Sequence, residues 1–476
     1  MAIHGPAGVY ITHGPRDWQI IQQTDGKADL TLGGTYAPRD IPDGVRVKVV
    51  VRVVREETGE AVVPWRDARL DPDGRTWSVE LKGVPAGGLY RIETMLASDE
   101  FRMDNVITRG DMVHHVGIGD IFLIAGQSNA SGRGKDPIED PPELGVHLYR
   151  NCGEWSLATH PLNESTRSVY PAHIEYHNPS HSPYLQFAKV LKRRTNMPIG
   201  LIQSAVGGRP LRCWDEAEDG ELFRNMVQIA RDAAGGRIRG VLWYQGCNDA
   251  LEGRSEDYLA RFAALVRRTR EELGSPDLPF FTVQLNRCTM AAEPETDRHW
   301  GRLREAQRQA ALAIPGVYVV PATDCAMYDQ IHNSAAANMM LGERLARQAL
   351  AVLYGRGEDG APPDLVRAEE DEDGKVVLTF APVVNRLHLF MLPPERAPFT
   401  LEDEAGAVPI AGLEADGARV ILTPGRALSG RCVVHGVWQM NPPGPPPADW
   451  GRMPILSFYG AEVRRHKANP EEETDR

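Results

Sequence analysis

Ser128 lies in the stretch GQSNASGRG, Gly126 to Gly134, directly after the apolar run DIFLIA, Asp120 to Ala125. A serine where a strand-like run gives way to small residues suits three chemistries: a nucleophile, a phosphate loop, or a polar turn that caps a helix. The phosphate loop needs GxxxxGK followed by Ser or Thr. Here Gly134-Lys135 is followed by Asp136, and Asn129 occupies the place of the first glycine, so that chemistry is excluded. The GxSxG elbow is incomplete as well, because Ala130 stands at its fifth position.

A nucleophilic serine needs a base to take its proton and donors to hold the developing oxyanion. The segment DQIH, Asp329 to His332, offers the base, with Asp329 three residues away to orient the imidazole. Gly207-Gly208 and Gln245 follow two further strand-like runs and are candidate oxyanion donors. Each has a plainer use. Paired glycines make tight turns, an amide at a strand end satisfies backbone groups, and Trp214 serves equally as core or as a sugar-stacking surface. Cys247 has no His or basic neighbour in sequence and is not expected to be a nucleophile. His177 and His181 have a ligand-like spacing. Pro179 between them argues against a helix and no acid is near in sequence, so no metal is expected.

These residues must be positioned by regular elements. Up to about residue 114 the chain reads as short strands separated by turns, as in VRVKVVVRVV (Val45 to Val54) and GGLYRIETML, the pattern of an antiparallel β-sandwich. From Asp120 strands alternate with amphipathic helices. Tyr184, Phe187, Ala188 and Leu191 mark one helix; Phe223, Met226, Val227 and Ala230 a second; Tyr258, Phe262, Leu265 and Val266 a third. Unbroken apolar strands between them predict a parallel sheet covered on both faces. In such sheets ligands collect at the carboxyl ends of strands, so Ser128 after the first strand and His332 after the last should meet there. After Tyr354 comes a Gly, Pro and acidic stretch, then strand-like runs again (KVVLTF, RLHLFML, RVILTP, CVVHGVW). The expected organisation is a β module at 1–114, an α/β domain at 115–357, a second β-rich module at 358–465 and a disordered tail at 466–476.

The 476 residues suffice for two or three domains, and 42% hydrophobic with 25% charged residues is the composition of an ordinary globular protein. No apolar run is long enough for a membrane helix. A net charge of −12 argues against nucleic acid or an anionic membrane as the main partner. Cys152, Cys213, Cys247, Cys288, Cys325 and Cys432 form no CxxC pair and read as reduced thiols. With no secretory pattern at the N-terminus, the expected location is cytoplasmic.

Four blocks, GDIFLIAGQSN, GLIQSAVGGRPLRCW, LWYQGCNDA and DQIHNS, resemble those of the SGNH hydrolases. More narrowly the chain resembles the sialate O-acetylesterase-like carbohydrate esterases. RDWQIIQQ, VPAGGLYRIE and HGVWQMNPPG extend the likeness to both flanks. The resemblance implies an SGNH (flavodoxin-like) three-layer α/β/α domain flanked by β-rich modules. It implies Ser128 as nucleophile, His332 as base and Asp329 as its orienting acid. The oxyanion hole would comprise the Ser128 N–H, an N–H of Gly207 or Gly208, and the Gln245 amide. Gln127, Asn129, Arg209, Arg212 and Trp214 are the substrate-binding candidates, the two arginines as cations for a sialate carboxylate. The implied reaction removes O-acetyl groups from sugars through an acetyl-serine, with no cofactor or metal. Within the same class the rival substrate is acetylated xylan or another plant polysaccharide; outside it, the rival is a non-catalytic carbohydrate-binding protein. Two departures from the family pattern stand out: Cys247 where the family commonly has Glu, and Arg209 where it has Thr.

Overall fold

The computed structural model describes residues 8–38, 45–73, 75–98, 106–175, 179–291, 293–357, 359–390 and 393–466. Its buried apolar residues fall into three clusters, the largest of them centred on the α/β part of the chain. The N-terminal cluster lies between two antiparallel sheets. One contains Gly8–His13, Lys27–Ala37, Thr76–Pro85 and Arg69–Asp71; Ala61–Asp67, Val47–Arg55 and Gly88–Ser98 belong to the other. Lys27–Ala37 begins by alternating exposed and buried residues, the period-2 pattern of a strand with one face on a core.

The central domain begins inside a strand rather than after one. β1 (Val106–Gly126) runs antiparallel to Gly88–Ser98 over its first part and joins the central parallel sheet over its second. The boundary expected after residue 114 therefore falls within one continuous strand, where no turn residue interrupts the chain. Gly119 makes this passage possible: a Cβ there would overlap the carbonyl of Pro198. At the same junction the Asp120 carboxylate accepts hydrogen bonds from Gln22 at 2.7 Å, Gln23 at 3.1 Å and Tyr354 at 2.7 Å, tying the N-terminal module to the last helix.

The parallel sheet continues with β2 (Val146–Tyr149), β3 (Ile199–Gln203), β4 (Gly240–Tyr244), β5 (Phe280–Gln284) and β6 (Val317–Pro321), in the order β2-β3-β1-β4-β5-β6. β3, β4 and β5 are buried at every residue, which requires cover on both faces. The cover is two packed groups of helices, α2 (Tyr184–Thr195) with α7 (Ala335–Tyr354), and α3 (Glu221–Ala234) with α5 (Tyr258–Glu272) and α6 (Pro294–Ala313). The helical positions read from the sequence are the buried ones: Tyr184, Phe187, Ala188 and Leu191 in α2; Phe223, Met226, Val227 and Ala230 in α3; Tyr258, Phe262, Leu265 and Val266 in α5. Beyond β2 the sheet ends in Trp155–Leu157, antiparallel to it, and β1 lies between β3 and β4, from which the chain order runs outward in opposite directions. This is the switch point at which doubly wound sheets open a crevice.

Residues 364–463 form two four-stranded antiparallel sheets on the third core. Arg304 of α6 anchors them. Its buried guanidinium donates to the carbonyls of Val437 at 3.0 Å, Trp438 at 3.2 Å and Gln439 at 2.6 Å. The tail expected at 466–476 lies, beyond His466, outside the described residues. Among the described residues no helix is long and apolar enough to cross a membrane.

Candidate active site

β1 ends at Gly126, whose φ of 124° and contact with the Tyr244 carbonyl exclude a side chain. The chain turns there into the one-turn helix α1 (Ser128–Ser131), leaving Ser128 9% exposed at the floor of a cavity of about 440 Å³. Asn129, beside it, reaches the loop between β6 and α7. Its amide donates to the Ile331 carbonyl at 3.2 Å and its oxygen accepts from the Asn333 N–H at 3.1 Å. That clamp joins two segments about two hundred residues apart and brings His332 onto the serine.

Ser128 Oγ lies 2.9 Å from His332 Nε2, and His332 Nδ1 lies 2.8 Å from Asp329 Oδ2. The other Asp329 oxygen accepts the N–H groups of Ile331 at 2.9 Å and His332 at 2.8 Å. Partial burial pushes the Asp329 carboxyl up, but the hydrogen bonds from the His332 ring and these two amides outweigh it and hold it below its ordinary value. An ionised carboxylate only accepts, so Nδ1 carries the ring proton and the Nε2 lone pair faces the serine hydroxyl.

The donors around Ser128 differ from those expected. Gln245 is fully buried and does not line the cavity. Its amide nitrogen donates to the Arg209 carbonyl at 3.2 Å and to Asp249. Asn248, three residues on and in the short helix α4 (Cys247–Leu251), lines the cavity instead. Its orientation follows from a chain of bonds that starts at a backbone donor. The Gly246 N–H donates to Gln127 Oε1 at 3.0 Å, which leaves the Gln127 amide nitrogen to donate to Asn248 Oδ1 at 3.0 Å. Asn248 Nδ2 is thereby left free to donate. Of the two glycines, Gly207 already gives its N–H to Glu175 at 2.7 Å, whereas the Gly208 N–H has no partner among the described residues. Glu175 is buried and also holds Arg133 at 3.0 Å and Asn163 at 3.1 Å.

The remaining sequence candidates separate by location. Gln127 lines the cavity and Asn129 sits beside it, and both side chains are committed to holding neighbouring loops. Trp214 is 1% exposed and packs edge-on against Trp243, so it has no free face for a sugar; it is a core residue. Arg209 and Arg212 do not line the cavity; the cations that do are Arg133, paired with Glu175, and Lys135, which is exposed and has no ion pair among the described residues. Tyr328, 44% exposed, and Leu251 give the cavity an apolar rim. Burial pushes the Cys247 thiol up to about 12, which keeps it protonated and unreactive.

His181 does have an acidic partner, contributed from a distant part of the chain. His181 and His160 each place Nε2 at 3.0 Å from Asp140 Oδ2, while Lys189 binds the other oxygen. These bonds overcome the effect of burial and hold the Asp140 carboxyl far below the carboxylate range. The three groups lie close enough to suggest a metal site. However, the ionised carboxylate takes an Nε2–H from each imidazole and an ammonium from Lys189, so neither Nε2 offers a lone pair to a metal and the charge is balanced. The arrangement is a buried ion-pair cluster. His177 lies outside the described residues.

A serine, a histidine and an aspartate thus lie in series at the carboxyl ends of a doubly wound parallel sheet. Residues 118–351 match the family described as carbohydrate esterase, sialic acid-specific acetylesterase. A probable carbohydrate esterase of Arabidopsis thaliana is 27% identical over 253 residues, 48% of this chain and 90% of that one. The human sialate O-acetylesterase is 23% identical over 283 residues, 51% of this chain and 52% of that one. The chain thus spans about half the length of the sialate O-acetylesterases it matches. The fold is similar to the crystal structure of a carbohydrate acetylesterase from Xanthomonas citri, with a TM-score of 0.64, 24% identity, and coverage of 93% of this chain and 97% of that one.

Proposed function

We propose that the chain is a carbohydrate O-acetylesterase acting through an acetyl-Ser128 intermediate, with residues 115–357 as the catalytic domain and β-rich modules on either side. The carrying observation is the continuous hydrogen-bond series Ser128–His332–Asp329 opening onto a cavity with unused donors.

In this reading Ser128 Oγ attacks the acetyl carbonyl carbon while His332 Nε2 takes its proton. The carbonyl oxygen, now negative, is held by the N–H groups of Ser128 and Gly208 and by the Asn248 amide. The C–O bond to the sugar then breaks, and the proton on His332 passes to the departing sugar oxygen. A water, deprotonated by the same imidazole, attacks the acetyl-serine; the bond from the acyl carbon to Ser128 Oγ breaks, Oγ regains the proton from His332, and acetate leaves. Asp329 stays ionised throughout and stabilises the imidazolium. The Cys247 departure leaves this series intact, since neither His332 nor Asp329 bonds to that residue.

A carboxylated sugar such as sialate is favoured over neutral xylan by one observation. Lys135, a cation with no ion pair among the described residues, stands at the cavity. Ser128→Ala should abolish acetate release from p-nitrophenyl acetate with the melting temperature unchanged; retained turnover would remove Ser128 from the mechanism. Faster release from O-acetylated sialate than from acetylated xylo-oligosaccharides supports the acidic substrate, and the reverse order rejects it.

A further inference from the structure

A second, larger cavity of about 690 Å³ lies where the central domain meets the C-terminal module, on the far part of the loop that carries the candidate catalytic histidine. That loop, between β6 and α7, supplies Thr323 and Asp324 to this cavity and Tyr328, Asp329, Ile331 and His332 to the Ser128 cavity. The size suits a ligand of one to a few sugar units.

Its charge is unusual for a chain of net charge −12. Arg287, Arg344, Arg396 and Arg452 line it, against the two carboxylates of Asp324 and Asp449. Both acids are spoken for. Asp324 is held by Arg344, at 2.7 Å and 2.5 Å, and Asp449 accepts the N–H groups of Val384 at 3.1 Å and Met453 at 2.9 Å. Arg287, Arg396 and Arg452 have no carboxylate partner among the described residues. The Nε groups of Arg287 and Arg344 are buried without any hydrogen-bond partner. Unmatched guanidinium groups converging on one cavity form a site for a planar oxyanion, which a guanidinium can grip with two parallel bonds.

Pro442, Pro443, Pro445, Pro446 and Phe390, the last 60% exposed, add apolar lining. Trp450, 58% exposed, packs its ring 5.0 Å from that of the lining residue His388. Exposed rings beside a polar cavity suit the C–H faces of a sugar. Resting on the carbohydrate reading of the Ser128 cavity, we propose that this cavity is a second subsite that binds a carboxylate-bearing sugar unit of an acidic glycan.

Trigalacturonate is a suitable probe because it has the carboxylates but no acetyl ester, so its binding does not depend on Ser128 chemistry. In calorimetric titration at low salt the full chain should bind trigalacturonate and not xylotriose. Arg396→Gln/Arg452→Gln should weaken that binding at least tenfold while p-nitrophenyl acetate turnover stays at the parent rate, which also reports an intact fold. If the double variant does not fold, Arg452→Gln alone, at an exposed position, should weaken binding at least threefold. Undiminished binding by these variants, equal binding of xylotriose, or no binding of trigalacturonate overturns the proposal. So does complete displacement by inorganic phosphate at matched ionic strength, which would make the cavity a general oxyanion site. Loss confined to a Lys135→Gln variant would move the glycan to the Ser128 cavity and equally overturn it.

Discussion

Asn248→Ala removes a side-chain amide donor that lines the Ser128 cavity. Its Oδ1 is occupied by Gln127, so the amide nitrogen is the atom lost to an oxyanion. Two backbone donors, Ser128 N–H and Gly208 N–H, remain. Deleting one preorganised donor of this kind costs about 2.7–4 kcal/mol in the transition state, a fall in kcat of roughly 10²–10³-fold. Asn248 is only half-buried, so the melting temperature should hardly move. Gln245→Ala should behave in the opposite way. That amide is fully buried, and removing it strands the Arg209 carbonyl and takes one of its donors from Asp249, a stability loss of about 1–3 kcal/mol. Steady-state kinetics on p-nitrophenyl acetate and thermal unfolding of both variants make the comparison. The orientation argument is refuted if Asn248→Ala keeps kcat within threefold of the parent while Gln245→Ala loses a hundredfold at an unchanged melting temperature.

Asp140→Asn should destabilise the protein by about 3–5 kcal/mol in urea unfolding at pH 7, because it leaves the buried Lys189 ammonium without its counter-charge. The folded Asp140 carboxyl is held below its unfolded value, so its contribution is present above about pH 4 and is lost as the pH falls; the gap between parent and variant should narrow in acid. Asp249 is the contrary case. Burial, only partly offset by bonds from Gln245 and Leu211, raises its carboxyl to about 6. A raised folded value favours the protonated folded state, so this contribution is present at low pH and is lost as the pH rises through about 6. From pH 5 to pH 7 the parent should lose roughly 1 kcal/mol that Asp249→Asn does not, read from unfolding curves at the two pH values.

The parts of the fold legible in the sequence are those written in local periodicity. The apolar spacing of Phe223, Met226, Val227 and Ala230 marks the buried stripe of α3, and the unbroken apolar run of β4 marks a strand covered on both faces. Ser128 and His332 were accessible to the same reasoning because each follows a strand, and strand ends on one side of a parallel sheet converge. What local pattern does not encode is the direction of a side chain after a sharp turn. Gln245 and Asn248 are both amides just beyond β4. The turn at Gly246, with φ of 140°, sends one into the core and the other to the cavity. Trp214 looks the same in sequence whether its ring faces solvent or Trp243. Arg209 and Arg212 are near a strand end, yet the cations at the cavity come from the Ser128 loop. Partners far along the chain are equally hidden: Glu175 on Gly207, and Asp140 on His181. The passage of β1 through two sheets is invisible because a continuous strand leaves no turn to mark a boundary.

The central claim, an activated Ser128, is tested most directly by intact-mass and peptide mapping after exposure to a fluorophosphonate. The account predicts a single adduct on Ser128 in the parent, and none in His332→Ala, where the hydroxyl has lost its base. An unmodified Ser128 in the folded parent, or equal labelling without His332, would contradict it.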